Sequence, residues 1–540
     1  MLSFFRNNKY YFPSIFFLIF FFLGINIYQD YGISIDEDNT RTNGFVGLKY
    51  IYDLFEINYT SVISNFPNIN DYPEKGIGYL FDIPAAFIEY KLNIKDFREY
   101  ILLRHLINFI FFFFGVIFFY LLLLKRFNSV LLSTFGCLFL IISPRIFAHS
   151  FFNNKDIVFM SIFIIATYFS ILLIEKPNFY NSILTSIFIA LSISIRILGS
   201  ILPVLIIFFL LIKFLRNENK HNIKIALISF FFSLPFFTII FYPFLWDSPI
   251  LNFLFIFKKL ANFNIDIHNF YLGEYVKAEH IPWHYSFVWI FSTTPVFYLI
   301  LFFISFFLII SRIYLRLVNI NENKKFNDLW RGQNEMFDLF FLLLLILPIF
   351  LIIIINSSLY SGWRHLYFLY PFIIFQSIYA LNYFILKTKK KYKNFLLIFI
   401  IFTMIPNINW MIKNHPHQYV YFNSLIKKNF DQYFELDYWG LSINENLKYL
   451  SKTEKNDFTV SNIGNMDLNL NRKFLEPELR NKVKITGNIE EADYVIINNI
   501  YWNGYKSKKV EYLRENYTKF FEIKVDDKLI SASYRKNIKK

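Results

Sequence analysis

A mostly α-helical, polytopic membrane bundle with a long first outer loop and a small C-terminal α/β or α+β domain is the fold class this sequence predicts. Three observations carry it. Of 540 residues, 55% are hydrophobic and only 18% charged, against roughly 25% charged in a soluble protein. Phe alone fills 73 positions, many in runs such as Phe109–Phe119 and Phe230–Phe237, apolar on every helical face and therefore suited to lipid. Basic residues collect in alternate short connections between these runs, the charge asymmetry that orients membrane proteins.

About eleven apolar spans are readable, near 11–28, 101–124, 129–146, 157–174, 180–195, 198–215, 225–243, 285–311, 336–356, 365–386 and 394–411. With Arg6 and Lys9 inside, the connections Lys125-Arg126, Glu175-Lys176, Lys213–Lys224, Arg312–Arg331 and Lys387–Lys393 are also inside, and most are strongly basic. The alternate connections are less basic or acidic and fall outside. The expected division is a transmembrane part over 1–412 and an outer domain over 413–540. The first span has no small-x-small cleavage site after it and reads as a retained helix. The single cysteine, Cys137, lies in an apolar segment, which excludes disulfides and cysteine-based zinc. The net charge of +15 sits largely in topology-setting loops, so no nucleic-acid partner is expected.

The first outer loop opens on Asp30-Tyr31-Gly32-Ile33-Ser34-Ile35-Asp36-Glu37-Asp38-Asn39. Four carboxylates at the mouth of a span resist moving toward lipid, because an unpaired buried charge costs several kcal/mol. A solvated juxtamembrane loop is the bland alternative. Further along, Gly44–Phe55 and Phe81–Tyr90 have the amphipathic pattern of segments lying along a membrane surface.

The second outer connection, Ser143–Asp156, gathers Arg145, His149, Lys155 and Asp156, and structurally it reads as a polar turn at Asn153-Asn154. Arg196, Arg364-His365 and Arg104-His105 add cations at outer helix ends. Each is free to snorkel to the headgroups, but four cationic sites on the side opposite the basic loops point to a bound anion, and arginine's donor fork suits phosphate. His280 and His284 have a helical metal spacing, against which Pro282 argues. Beyond Trp410 the composition is that of a soluble domain, with a helix near Glu445–Leu450 and strands at Phe458–Ser461, Ala492–Ile497, and Phe520–Val525 with Leu529–Tyr534 around an Asp526-Asp527 turn. Neither a P-loop, a nucleophile elbow nor an internal repeat is present in the sequence.

Together Gly32–Glu37, His149–Asp156, Arg364–Phe368, His415–Asn423 and Tyr438-Trp439-Gly440 resemble the GT-C superfamily of polyprenyl-phosphate-sugar glycosyltransferases, in its protein O-mannosyltransferase-like and aminoarabinose-transferase-like branch. Asn154 departs from the proline expected of many relatives, which affects the turn geometry. The resemblance implies inverting transfer of a sugar from a polyprenyl-phosphate donor to a hydroxyl of a protein, lipid or glycan. It implies catalysis by a first-loop carboxylate, sometimes assisted by a divalent metal cation. On that reading Asp36 is the base and Glu37 its supporting carboxylate; Lys155, Arg196, Arg364 and His365 are donor-phosphate candidates; His149 and Asp156 are substrate or metal candidates. The expected setting is the bilayer of a bacterial inner membrane, with the site on its periplasmic face. The chemistry fits independently: a phosphate leaves as an anion and needs cations rather than a strong acid, whereas the acceptor hydroxyl must lose a proton to a base. The rival from another class is a transporter or flippase for a lipid-linked or anionic solute, which would place charges or broken helices near the midplane.

Overall fold

Each apolar segment of the sequence is helical in the computed structural model, which describes residues 11–75, 78–261, 266–318, 329–426, 428–464, 466–498 and 508–537. Arg6, Lys9 and residues 319–328 of the inner loops lie outside the described residues. In chain order the helices used below are α1 (Tyr11–Ile27), α2 (Glu37–Leu54), α3 (Tyr79–Lys91), α4 (Phe97–Phe127), α5 (Val130–Ile141), α6 (Pro144–Phe152), α7 (Asp156–Glu175), α8 (Phe179–Ile195), α9 (Ile201–Leu215), α10 (Lys220–Ile240), α11 (Tyr285–Thr293), α12 (Val296–Val318), α13 (Gly332–Ile354), α14 (Tyr370–Lys387), α15 (Lys393–Lys413) and α16 (Leu441–Thr453). Among the described residues eight helical stretches are long and apolar enough to cross a membrane, and the bent pair α5–α6 makes a ninth. The shorter apolar helices α1 and α8 have 17 residues each, the lower end of what spans a bilayer. The protein is an integral, multi-pass membrane protein.

Two expected spans are broken, and for one physical reason. The segment near 129–146 bends by 69° between α5 and α6, and the segment near 285–311 divides into α11 and α12. In each case the residue before a proline leaves the helical region: Ser143 (ψ 106°) precedes Pro144, and Thr294 (ψ 136°) precedes Pro295. Clash with the proline ring disfavours helical geometry there. The expectation of a polar turn over 143–156 is thereby corrected. Residues 144–152 form α6, and all nine are buried in protein.

In the first outer loop the two amphipathic pieces are α2 and α3. They lie so close that a Cβ on Gly44 would fall 2.2 Å from the carbonyl oxygen of Asp82. At the opposite helix ends, Arg126 at the end of α4 forks onto Asp338 of α13 at 2.7 and 3.0 Å, and Arg312 of α12 joins at 3.0 Å.

The C-terminal strands are β1 (Phe458–Ile463), β2 (Val483–Ile485), β3 (Tyr494–Asn498), β4 (Tyr517–Val525) and β5 (Lys528–Lys536). They form one mixed sheet in the order β2-β1-β3-β5-β4, parallel across β2-β1-β3 and antiparallel beyond. Asp526 and Asp527 turn the last hairpin with φ of 50° and 63°, the left-handed pair that a two-residue hairpin turn requires. Between α15 and α16 the chain runs back against the helices: Tyr419, Phe422 and Trp439 share one buried core with α4, α6 and α14. Reporter fusions at Lys390 and Lys508 are expected in opposite compartments, because α15 separates them; finding both on one side would overturn the topology.

Candidate active site

The acidic loop is fixed from below by Glu37. Its carboxylate is 1% exposed; one oxygen accepts the Ser34 N–H at 2.7 Å, and the other lies 2.8 Å from Nε2 of His105 on α4. The other ring nitrogen of His105 faces the Tyr28 carbonyl at 3.3 Å. Ile35 N–H reaches the Trp439 carbonyl at 3.2 Å. Glu37 therefore points into the protein and holds the loop's shape. Glu37→Gln is expected to lower stability by about 1–3 kcal/mol, the cost of an unsatisfied buried partner, read as a lowered melting temperature.

Asp36, the N-cap of α2, points the other way. Its side chain is 31% exposed, and Oδ2 accepts from Nη1 of Arg364 at 2.9 Å. Burial acts to raise its pKa, but the charges of Arg364 and Lys155 outweigh it and hold the carboxyl below its ordinary value. Arg364 begins a 3₁₀ turn, Arg364–Leu369, that leads into α14. It is entered through Ser361 and Gly362 at φ of 57° and 70°, and the Gly362 N–H is anchored on Oε1 of Glu435 at 2.9 Å. The guanidinium lies over the rings of Tyr360 (4.8 Å) and Trp439 (4.6 Å). Cation–π contact of this kind fixes the fork without consuming its N–H donors.

Asp156 opens α7 and is 2% exposed. Oδ1 pairs with Nη2 of Arg196; Oδ2 accepts from Asn153 Nδ2 at 2.9 Å and lies 4.0 Å from Nη1 of Arg364. Asn153 Oδ1 accepts the Asp156 N–H at 3.0 Å, and Asn154 Nδ2 donates to Thr40 of α2 at 2.8 Å. The second connection thus clips onto the first loop, with Asp156 as the anion between two arginines. Lys155 is half-buried and its ammonium has no ion pair or hydrogen bond among the described residues, while its charge acts on both Asp36 and Asp82. His365 is half-buried, its ring edge-on to Tyr360 at 4.7 Å, with a buried, unpartnered Nδ1. The charges of Arg196, Arg364, Asp36 and Lys155 all act on it. Asp36, Lys155, Arg196, Arg364 and His365, scattered over the sequence, therefore meet in one site at one end of the helical bundle.

His149 is not part of it as a ligand. It is fully buried, with Nε2 3.2 Å from the Tyr367 hydroxyl and Nδ1 3.0 Å from Asn153 Nδ2, so both nitrogens have partners inside the protein. For the divalent metal, no group of three or more His, Cys, Asp or Glu suited to hold one is found among the described residues. Asp36 and Asp156 are each bound to an arginine. The residues present do not fit a resident metal.

Three parts of this shell have no role assigned to them by the sequence. Trp439 stacks on Arg364. Asp82 is pushed up to about 6 by burial, against the pull of Arg104 and Lys155, and its Oδ1 lies 3.8 Å from Arg104 Nη1. Glu435 is pushed up to about 7 by burial. A carboxyl raised from the ordinary 4.5 to about 7 favours the folded state while protonated; that advantage is full below the unfolded pKa and is lost as pH rises to about 7, roughly 3 kcal/mol in all. Glu435→Gln is therefore expected to raise the melting temperature at pH 8 and to leave it nearly unchanged at pH 4.

Residues 91–242 match the family model described as dolichyl-phosphate-mannose-protein mannosyltransferase. No curated protein sequence matches. The crystal structure of ArnT from Cupriavidus metallidurans in the apo state aligns with a TM-score of 0.47 and 9% identity, covering 96% of this chain and 98% of that one. The crystal structure of the same protein bound to undecaprenyl phosphate aligns with a TM-score of 0.41 and 10% identity, covering 96% and 97%. Likenesses this distant carry no argument about chemistry. The family match runs from the end of α3 through α10 and includes Lys155, Asp156 and Arg196. The family resemblance read from the sequence agrees with this match: over residues 91–242 this integral membrane protein is similar to the dolichyl-phosphate-mannose-protein mannosyltransferases.

Proposed function

We propose that this protein transfers a sugar from a polyprenyl-phosphate donor to an acceptor hydroxyl on the outer face of the membrane, the periplasmic face of a bacterial inner membrane, with inversion. One observation carries the reading: a half-exposed carboxylate, Asp36, sits 2.9 Å from a ring-stacked arginine, beside a lysine whose ammonium has no partner of its own among the described residues.

Asp36 and Arg364 satisfy each other. A donor phosphate entering between Arg364, Lys155 and Arg196 competes for the guanidinium. As Arg364 turns its donors to phosphate, Asp36 loses its principal cation and gains an anionic neighbour, and both changes raise its proton affinity. The base is thus strengthened by the arrival of the donor. Asp36 takes the acceptor's proton as the acceptor oxygen attacks the anomeric carbon. The bond to the phosphate oxygen breaks on the opposite face, which inverts the configuration. The leaving phosphate is an anion met by fixed cations, so no proton need be delivered to it. Asp156 does not touch the reacting atoms on this account; it orients Arg196 and Arg364.

The transporter reading would place charges or broken helices near the midplane; the described residues offer it the breaks at α5–α6 and α11–α12 but no matching charge in the candidate site. Here Asp36, Asp156, Arg196 and Arg364 stand at helix ends on one side, and the Arg126–Asp338–Arg312 group closes the other. Incubating the purified protein with a panel of polyprenyl-phosphate sugars is the test: donor cleavage and transfer of opposite anomeric configuration are expected. Passage of intact donor across a vesicle membrane without cleavage would favour the transporter.

A further inference from the structure

A cavity of about 390 Å³ lies outside the site just described, between the shoulder of the acidic loop and the C-terminal domain. This volume is within the range of small-molecule sites. Its walls come from five separate stretches: Gln29–Gly32 ahead of Asp36, Arg98 in the first turn of α4, the 415–417 turn after α15, Leu441–Lys448 of α16, and Phe474 with Glu476. All of these lie at or beyond the outer helix ends, so an occupant arrives from the aqueous compartment and not from within the bilayer.

The lining chooses the occupant by its charge pattern. His415 Nε2 lies 2.9 Å from Asp30, His417 Nε2 lies 2.7 Å from Glu445, and Lys448 donates to Glu476 at 2.7 Å. Arg98 also lies 4.0 Å from Glu476, so every carboxylate of the lining is paired with a nitrogen base of the same wall, and a strongly anionic or cationic ligand meets a like charge beside each opposite one. A neutral ligand rich in hydroxyls meets none, because each hydroxyl both donates and accepts. The side chains of Asp30 and Glu445 are 48% and 44% exposed and free to re-aim. Leu441 and Phe474 supply an apolar patch in the same wall, suited to the C–H face of a sugar ring.

The cavity is also tied to the site. Tyr31, in its wall, stacks on Phe151 of α6 at 4.7 Å and donates to Gln418 at 3.1 Å. Gly32 sits so close to α16 that a Cβ would fall 2.6 Å from the Leu441 carbonyl oxygen. An occupant therefore rests on the segment that leads directly into Asp36.

We infer that this cavity is a saccharide-binding site for a neutral, hydroxyl-rich portion of the acceptor, presented from the aqueous side. Its role as an acceptor subsite rests on the glycosyltransferase reading; the binding itself does not. The test is calorimetric titration of the full-length protein in detergent with maltose, cellobiose, mannobiose and N,N′-diacetylchitobiose. Glu445→Ala and Lys448→Ala, both partly exposed and outside the Asp36 site, are titrated alongside. Saturable binding of at least one disaccharide is expected, weakened about tenfold or more in each variant, while cleavage of a polyprenyl-phosphate sugar with water as acceptor is unchanged by either substitution. Absence of saturable binding, equal binding by the variants, or capture there of a Ser/Thr peptide in place of the sugars would overturn the inference. Failure of the unaltered protein to cleave any donor, with disaccharide binding intact, would instead overturn the catalytic reading and leave the saccharide site standing.

Discussion

Asp36→Asn is expected to slow sugar transfer by about 10²–10⁴-fold, the usual contribution of a positioned general base, at an unchanged amount of folded protein. Asparagine keeps the size of the side chain and can still accept from Arg364, so the loop held by Glu37 and His105 should not move. What is lost is the ability to accept the acceptor's proton. A pH profile separates this from a structural defect. In the free protein Arg364 and Lys155 hold Asp36 below its ordinary value, so the acid limb of kcat/KM should fall below the ordinary carboxylate range. In the donor complex phosphate has taken Arg364, and the acid limb of kcat should lie at higher pH. Coincident limbs would mean that donor binding does not release the carboxylate. Full turnover by Asp36→Asn with a dead Asp156→Asn would move the chemistry to the second connection.

Arg364→Lys is the second large effect. Lysine keeps the positive charge that Asp36 and Asp156 require but loses the planar fork that lies over Tyr360 and Trp439. One charge-assisted hydrogen bond to phosphate is worth about 1.5–3 kcal/mol, so donor affinity should fall about 10- to 100-fold with only a small change in melting temperature. Unaltered affinity for the donor would place the phosphate elsewhere.

Much of the architecture was legible because lipid imposes long apolar helices, and each span leaves its own mark in the sequence. The α2 and α3 helices were legible for a related reason, since an amphipathic period survives without knowledge of partners. The bends before Pro144 and Pro295 were local and open to the same reading, but continuous hydrophobicity masked them. What the sequence hid is tertiary. Arg145 and His149 make 144–152 look like a polar loop, yet their partners are the Tyr421 carbonyl and the Tyr367 hydroxyl, more than two hundred positions away. Glu37 stands beside Asp36 in sequence and looks like its twin. One helical step turns it inward to His105, and only the fold shows that. Trp439 read as part of a short motif after the last span, with nothing local to say that its ring would lie on Arg364.

The central claim is that Asp36 and the donor phosphate compete for Arg364. The most direct measurement is the affinity of polyprenyl phosphate for the unaltered protein and for Asp36→Asn, at neutral pH and fixed salt. Removing the competing negative charge should leave turnover lost and phosphate binding tighter. Weaker binding by Asp36→Asn, or binding that Arg364→Lys leaves untouched in both backgrounds, would contradict the account.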